Sequence, residues 1–418
     1  MRFVATLALF LGLAVASNDQ NKHGPKSPSK ACTVVAKGAG IDDAPQLLAA
    51  WQRCSKITIP KETTLNISTR LNMTGGVDKH LELKGTMRFN PDIPYWTGNA
   101  FPFPFQTQVT FWIFGGNNLL LDGGGTLDGA GQLWYDTFAT NSSLLRPIIL
   151  TVYQATNVVV KDIFMINSPE WFNLVNEGTN VLYDNINIHA ASTSTHFISN
   201  TDGWNVYRSD QVTIQNSVIV NGDDCVAFKP NATNVIVNNL NCDGSHGISV
   251  GSLGQFPGMF DIVENVTATN IVMSNAQNGA RIKAWAGPNV GSGIVRNVTF
   301  ANFTEINVDN PVVIDQCYMT NATACPQFPS NTFIDNIVFT DISGTSSGPK
   351  VASLACSPDG RCSNIDVENF NLSYVFLRFT ISIIVPGLKN NATQLPNRHP
   401  PVRVPKRKLD RKRGGFVP

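Results

Sequence analysis

The chain has 418 residues, of which 42% are hydrophobic and 15% charged, and this composition excludes a mostly disordered polymer. The formal net charge is +1, but residues 378–418 hold ten Lys or Arg and one Asp, which leaves 21 basic against 29 acidic residues elsewhere, a net charge of −8. A body that is acidic gives no support for nucleic-acid binding.

The first predicted element is a short apolar segment, MRFVATLALFLGLAVAS. It contains one arginine, an apolar run shorter than the about 20 residues that span a bilayer, and the small residues Ala14-Val15-Ala16. These features are typical of a secretory signal peptide over residues 1–16. We therefore expect a secreted, extracellular protein whose folded domain covers residues 17–373.

The next element is one amphipathic helix, predicted within residues 42–54, DDAPQLLAAWQRC, where an Asp precedes an apolar stripe as in an N-cap. Seven β-rich segments then follow, and each has β-branched residues, a polar pair ending in Asp or Asn, and another strand. The aligned polar residues are Asp162, Asn185, Asn216, Asn239, Asn265, Asn297 and Asn336. A repeat just above 20 residues, with insertions, predicts an all-β fold, a single-stranded right-handed parallel β-helix (a solenoid).

In such a solenoid the repeated Asn adopts the left-handed backbone conformation and hydrogen-bonds its stacked neighbours, and the helix covers the open N-terminal end. A leucine-rich solenoid lacks support because its Leu pattern is absent. A β-sandwich gives no reason for the repeated Asn. Equivalent positions of successive coils lie one strand spacing apart, about 4.8 Å, so residues one repeat apart can form one site.

Cysteines and sequons agree with secretion. An even number of cysteines in an oxidising compartment indicates disulfides. The eight fall into local pairs, Cys32/Cys54, Cys225/Cys242, Cys317/Cys325 and Cys356/Cys362. No CxxC pair occurs, which disfavours a metal site. Asn-x-Ser/Thr sequons occur at Asn66, Asn72, Asn141, Asn231, Asn265, Asn297, Asn302, Asn321, Asn371 and Asn391.

Four polar clusters recur at about one repeat, and we expect them to stack on one face. They are Asn200-Thr201-Asp202-Gly203, Gly222-Asp223-Asp224-Cys225, Gly244-Ser245-His246-Gly247 and Arg281-Ile282-Lys283. Clustered carboxylates repel, so at least one holds a proton above its usual pKa, which is an acid/base arrangement suited to glycoside hydrolysis. The guanidinium and ammonium groups suit an anionic substrate such as a sugar carboxylate.

The motifs NTDG, GDD, HG and RIK, in this order and spacing, resemble the polygalacturonases, glycoside hydrolase family 28, over about residues 30–373. The resemblance implies a right-handed parallel β-helix that hydrolyses α-1,4-galacturonosyl bonds with inversion. It implies that Asp223 is the general acid, that Asp202 and Asp224 activate water, and that His246 supports the acid. Substrate-binding candidates are Asn200, Arg281, Lys283 and Tyr318. Inversion leads us to expect about 6.5–9.5 Å between the acid and base carboxyl groups.

The segments NTDGWNVYRS and GSHGISVGSLGQ look most like those of the fungal exo-acting members, which release galacturonic acid from the non-reducing end. An exo-acting enzyme must block one end of its cleft. The aromatic stretch NPDIPYWTGNAFPFPFQTQ, residues 90–108, is a candidate wall, and packing of the N-terminal coils is an equally weighted alternative. The repulsion within the Asp223-Asp224 pair is expected to keep a proton on Asp223, with Gly222 permitting a local bend.

The resemblance stops after Ser373. Residues 374–418 are first apolar and then basic and Pro-rich, which we interpret as an atypical tail or a gene-model artefact. We expect a monomer that binds homogalacturonan (pectin), with no cofactor, no metal, no nucleic acid and no membrane as partners. The alternatives left open are an endo-polygalacturonase, a Ca²⁺-dependent pectate lyase and a non-catalytic solenoid.

Overall fold

The computed structural model describes residues 30–38 and 40–374, so the predicted signal peptide and all but Tyr374 of the predicted tail lie outside the described residues. The first elements, in chain order, are β1 (Ala31–Thr33), α1 (Ala44–Arg53), β2 (Lys56–Ile59), β3 (Thr64–Ile67), β4 (Leu71–Leu83), β5 (Thr86–Phe89), α2 (Ile93–Trp96), β6 (Phe101–Phe103), a 3₁₀ turn (Phe105–Thr107), β7 (Gln108–Thr110), β8 (Trp112–Asp122), β9 (Thr126–Asp128), α3 (Gln132–Phe138), β10 (Pro147–Ile148), β11 (Leu150–Tyr153) and β12 (Thr156–Ile166).

The remaining elements are β13 (Asn173–Asn176), β14 (Thr179–His189), β15 (Trp204–Tyr207), β16 (Ser209–Val220), β17 (Val226–Phe228), β18 (Ala232–Asp243), β19 (Ile248–Leu253), β20 (Phe260–Ser274), β21 (Asn278–Trp285), β22 (Ser292–Val308), β23 (Asn310–Tyr318), α4 (Ala324–Gln327), β24 (Thr332–Ser346), β25 (Ala352–Ala355), β26 (Cys362–Glu368) and β27 (Asn371–Tyr374).

Successive coils stack through parallel strand pairs, which confirms the predicted parallel β-helix. One ladder runs through the long strands β12, β14, β16, β18, β20, β22 and β24, and a second runs through β11, β13, β15, β17, β19, β21, β23 and β25. Among the described residues, the one antiparallel pair joins β6 to β7. Parallel stacking places the same coil position of each repeat in one row, which is what allows distant residues to form a common site.

Columns of β-branched side chains fill the interior. Val212, Val235, Val266, Val298 and Ile337 are register partners on successive coils, and all are buried. Each such side chain contributes about 1.5–3 kcal/mol through burial. Because β-branched residues suit a pleated and tightly packed surface, one column stabilises many coils at once.

Glu305 on β22 is an exception within this apolar interior. Its side chain is fully buried, and neither carboxyl oxygen has a hydrogen-bond partner among the described residues. Burial raises the pKa of Glu305 well above its usual range. The group is therefore held as the neutral acid in the folded protein.

The Asn corners form two ladders, whereas the sequence alignment treated them as one. The first ladder holds Asn157, Asn180, Gln211, Asn234, Asn265, Asn297 and Asn336, and the second holds Asp162, Asn185, Asn216, Asn239, Asn270 and Asn302, all with φ between 53° and 59°. The left-handed conformation and the stacked hydrogen bonds are confirmed. For example, Asn297 Nδ2 donates to Asn265 Oδ1 at 3.0 Å. The alignment of Asn239 with Asn265 was wrong because Asn265 stacks on Asn234, which belongs to the other corner.

The predicted helix is present as α1, Ala44–Arg53, and it packs against β3 and β4 at the start of the stack. Leu47, Ala50 and Trp51 face the common core. The capping differs from the expected pattern, since Asp43 makes no side-chain cap bond within the helix. Instead Asp42 Oδ1 accepts from the backbone N–H of Ala44 at 3.0 Å, which satisfies one free donor of the first turn.

All four predicted disulfide pairs are present: Cys32–Cys54, Cys225–Cys242, Cys317–Cys325 and Cys356–Cys362. Within residues 30–38 and 40–374, no helix has the length and apolarity needed to cross a bilayer.

Candidate active site

Strands β15, β17, β19, β21 and β23 lie side by side and carry the four predicted clusters. In this sheet the residues Trp204, Val226, Ile248, Ala280 and Val312 form one row. Asp202, Asp224 and His246 each lie two positions before a member of this row. The prediction that these clusters stack on one face is therefore confirmed.

The turn that presents Asp223 and Asp224 is held by Asn221. Its Nδ2 donates to the backbone carbonyls of Thr201, Asp223 and Asp224 at 2.9–3.0 Å. The expected role of Gly222 differs, because its φ is not in the left-handed region and a Cβ there would lie 2.6 Å from the carbonyl oxygen of Ile198. Glycine is needed for close approach of two backbones, while Asn221 shapes the bend.

Asp202, Asp223 and Asp224 form a compact carboxyl cluster, with one oxygen of each within 4.8 Å of the others. Asp224 is buried, and its oxygens contact Lys283 Nζ at 2.6 Å and Ser249 Oγ at 2.7 Å. Asp202 is also buried and accepts from Asn205 Nδ2 at 3.2 Å. Of the three carboxyls, Asp224 is the one that the ammonium of Lys283 contacts.

These oxygen separations are shorter than the 6.5–9.5 Å that we expected between acid and base carboxyl groups, so that expectation was wrong. The register of the sheet explains the difference, because the aspartates lie on adjacent coils and on one turn, about one strand spacing apart. The spacing therefore gives no evidence for inversion.

The aspartate with the raised pKa is not the one that the sequence led us to expect. Burial, together with the charges of Asp223 and Asp224, raises the pKa of Asp202 well above its usual range. Burial also opposes ionisation of Asp223, but the hydrogen bond and charge of His246 outweigh it and lower the Asp223 pKa to about 2. The expectation that repulsion keeps a proton on Asp223 was wrong, because Asp223 has a cationic partner that favours the ionised carboxyl.

His246 is that partner. Its Nδ1 lies 3.2 Å from Asp223 Oδ1, and this hydrogen bond raises the pKa of His246 above its ordinary value. The backbone N–H of Asp224 donates to the same carboxyl oxygen at 2.8 Å. Asn200 Nδ2 donates to the other oxygen, Oδ2, at 3.3 Å. His246 and Asp223 therefore hold one proton between them.

Arg281 and Lys283 project from the same face of β21 while Ile282 enters the core, as their alternation predicts. The Arg281 guanidinium and the Lys283 ammonium lie 5.3 and 5.5 Å from the ring centre of Tyr318. Burial opposes the charge on Lys283, but Asp224 raises its pKa above the ordinary value. The structure thus brings together Arg281, Lys283 and Tyr318, three of the four residues predicted to bind substrate.

Three charged residues beside the cleft were not identified from the sequence. Lys229 is buried, with its ammonium 5.4 Å from the ring of Trp171, and burial followed by the charge of Lys283 lowers its pKa. The sequence feature that could have identified Lys229 is its position directly after the buried segment VAF. Arg146 and Glu170 contact each other at 2.8 Å, and neither belongs to a repeat or motif. Burial, opposed by Arg146, raises the pKa of Glu170 to about 8.

The aromatic stretch 90–108 packs within the N-terminal coils, as one of the two alternatives predicted, and its last residues also reach the cleft. Trp96 is buried and packs edge-on against Phe111 within the N-terminal coils. Further along, Phe105 stacks on Tyr207 with ring centres 4.0 Å apart, and Gln106 Nε2 donates to Gln255 Oε1 at 3.0 Å. We call residues 105–108 the wall, because Gln106, Thr107 and Gln108 line one side of the cleft.

The cleft has a volume of about 400 Å³. It is lined by the wall residues Gln106, Thr107 and Gln108 and by Glu170, Trp171, Asn200, Asp202, Asp223, Asp224, Lys229, Ser252, Gln255, Phe256, Lys283 and Tyr318. Paired carboxyls opposite cations, in a cleft on a parallel β-helix, define a glycoside hydrolase for acidic sugars.

The comparisons with known proteins agree. The sequence model of glycosyl hydrolases family 28 matches residues 51–386, past the Ser373 at which the motif resemblance stops, and the chain belongs to this family. An exopolygalacturonase from Cochliobolus carbonum is 45% identical over 367 residues, 83% of this chain and 82% of that protein. A probable exopolygalacturonase X from Aspergillus flavus is 41% identical, covering 88% and 92%.

Among solved structures, an endo-xylogalacturonan hydrolase from Aspergillus tubingensis matches with a TM-score of 0.78 and 32% identity, covering 85% of this chain and 100% of that one. Membership of a hydrolase family sets aside the pectate lyase and the non-catalytic solenoid.

Proposed function

We propose that this chain is an exo-polygalacturonase that hydrolyses the α-1,4-galacturonosyl bonds of pectin from the non-reducing end and releases galacturonic acid. The observation that carries this proposal is a cleft in which three carboxyls face buried cations, with a wall along one side. Relatives at 41–45% identity are named exopolygalacturonases. The disulfides support secretion, and we propose a monomer acting outside the cell.

In this mechanism Asp223 is the general acid. Before substrate binds, the shared proton lies mainly on His246. Bound substrate excludes water, which penalises the charged imidazolium–carboxylate pair relative to the neutral pair. The proton then passes across the 3.2 Å contact to Asp223, which gives it to the glycosidic oxygen as the bond to the anomeric carbon breaks.

Asp202 and Asp224 are proposed to hold the attacking water. Asp224 contacts the ammonium of Lys283 through one oxygen, and Asp202 accepts from Asn205 through one oxygen, so the other oxygen of Asp202 can contact the water. As the water attacks the anomeric carbon, one of its protons passes to the ionised carboxylate of this pair. We propose that the reaction inverts the anomeric configuration, and NMR of the first-formed product decides this directly.

Arg281, Lys283 and Tyr318 are proposed to bind the galacturonate carboxylate at the cleavage site. A guanidinium and an ammonium on one strand can contact both oxygens of one carboxylate. Tyr318 lies against both cations and lines the cleft, where its ring can contact the same sugar.

The wall supports exo over endo action. Phe105 stacks on Tyr207, in the coil that carries Asp202, and Gln106 donates to Gln255, in the coil that carries His246. A polymer cannot continue through this contact, so only a chain end reaches the acid. A time course of products from polygalacturonate tests the proposal: galacturonic acid should be the first product, and an early ladder of oligomers would instead indicate an endo-acting enzyme.

A further inference from the structure

Arg146 is a buried residue just before β10, with about 3% of its surface exposed. Its NH1 donates to the carbonyls of Pro169 and Ser199 at 2.9 and 2.7 Å. Its NH2 contacts Glu170 Oε2 and Asn200 Oδ1, both at 2.8 Å. The four terminal N–H groups of the guanidinium therefore meet four acceptors.

The plane of this guanidinium is fixed as well. Its central carbon lies 3.7 Å from the ring centre of Phe138, at the end of α3. A planar fork that is stacked on one ring and bonded to four oxygens has one orientation.

This orientation determines how the amide of Asn200 is turned. An amide has one acceptor end and one donor end, and an arginine can only donate. Oδ1 of Asn200 must therefore face Arg146, so that Nδ2 faces Asp223 Oδ2 at 3.3 Å. Asn200 also has a left-handed backbone, φ 58°, which asparagine tolerates better than most residues. Both ends of the amide are engaged within the protein, which leaves it poorly placed for the substrate-binding role expected from the sequence.

We propose that Arg146, held by Glu170, is a positioning residue that orients the carboxyl of Asp223 through the amide of Asn200. This inference rests on the proposed function, in which Asp223 delivers the proton. His246 and the Asp224 N–H hold Oδ1, and Asn200 holds Oδ2, so the three donors define the plane of the acid. Without Arg146 the amide of Asn200 is free to rotate, and the plane of the Asp223 carboxyl is no longer fixed.

The charged groups facing Asp223 determine the direction in which the pH profile of kcat shifts when Arg146 or Asn200 is replaced. They are Asp202, Asp224, His246, Lys229, Lys283, Arg146 and Glu170. Arg146 and the Asn200 donor both favour the ionised form of Asp223. When either is lost, the Asp223–His246 pair keeps its shared proton to higher pH. The basic limb of the pH profile of kcat therefore shifts to higher pH.

The experiment compares Arg146→Met, Asn200→Ala and the double variant with the natural chain. We expect kcat on polygalacturonate to fall about 100-fold in each single variant, with KM within about threefold, because the substrate contacts remain. The double variant should be no slower than the slower single variant, since both changes break one chain of contacts. Additive losses, or an unchanged kcat in Arg146→Met, would overturn the proposal.

Two further variants separate positioning from charge and from folding. Arg146→Lys keeps the charge but cannot contact four acceptors, so it should also be slow, and full activity would show that charge alone matters. The matched control removes an exposed Arg–Glu pair with the same 2.8 Å contact, Arg296→Met, and should change neither kcat nor the basic limb. If Arg146→Met does not fold, Arg146→Lys and Asn200→Ala carry the test.

A readout in the ligand-free chain keeps this proposal distinct from the proposed function. The His246 resonance, assigned by its absence in His246→Asn among the six histidines, reports the shared proton by NMR. Its midpoint should move to higher pH in Arg146→Met and Asn200→Ala, and an unmoved midpoint counts against the relay even if the enzyme acts on another substrate. A wild-type chain with no polygalacturonase activity would instead overturn only the proposed function.

Discussion

Gln106 and Gln255 are 149 residues apart in the chain, and their side-chain amides meet at 3.0 Å beside the carboxyl cluster. Phe105 continues the contact by stacking on Tyr207 and meeting Phe256 edge-on, with ring centres 6.5 Å apart. One short segment after β6 thus connects to two other coils. These contacts hold the segment along one side of the cleft, next to the sheet that carries the carboxyl cluster.

Removing this wall should change the mode of attack. In a Phe105→Ala, Gln106→Ala double variant we expect oligogalacturonides early in the time course, because the polymer can pass where the wall stood. Chromatography of the first products makes the measurement. Phe103→Ala, in the same stretch but packed against Tyr153, is the matched control and should still release monomer only.

Asp223→Asn and Asp202→Asn should be distinguishable by the leaving group. In both variants kcat on polygalacturonate should fall by several orders of magnitude, if Asp223 is the general acid and Asp202 activates the water. An aryl galacturonide with a good leaving group needs little protonation, so Asp223→Asn should recover much of its rate there while Asp202→Asn stays slow. Equal recovery in both variants would contradict the assignment of roles.

Lys283→Met should harm both stability and substrate binding. It leaves the buried Asp224 carboxylate without its ammonium, and breaking a buried pair costs about 3–5 kcal/mol. Arg281→Met removes a cation with no comparable carboxylate contact among the described residues, so it should raise KM with little loss of thermal stability. Melting temperature and KM measured on both variants check this contrast, and equal loss of stability would argue against it.

Glu305 gives a pH dependence of stability with a definite sign. Its pKa is raised in the folded state, so the folded protein retains a proton that the unfolded chain loses. Stability therefore falls as pH rises above the unfolded pKa of about 4.3, by at most about 1.4 kcal/mol per pH unit. Glu305→Met should melt higher at pH 7 than the natural chain and show a smaller difference at pH 4. A larger gain at pH 4 than at pH 7 would contradict this.

The fold and the centre of the site were predictable because both follow from the period of the sequence. Asp202, Asp224 and His246 lie one repeat apart, and a solenoid turns that spacing into adjacency. The division into two Asn corners was missed because the corners are five residues apart and accept the same residue type. Arg146 and Glu170 could not be found, since they come from irregular connections whose contacts depend on tertiary packing.

Which of the three aspartates is protonated could not be predicted from the sequence either. Two adjacent aspartates predict that one carboxyl is protonated, but which one depends on where the cations lie. Asp223 forms an ion pair with His246, and Asp224 forms one with Lys283. No cation among the described residues is within ion-pair distance of Asp202. The carboxyl with the raised pKa is therefore Asp202, which has no ion-pair partner among the described residues.

The Asn ladders limit how the surface can be decorated with sugar. Asn265 and Asn297 both belong to sequons and occupy successive rungs, about 4.8 Å apart, with their amides already bonded along the ladder. A glycan is far wider than one rung. We therefore expect at most one of these two sequons to carry carbohydrate in any one molecule.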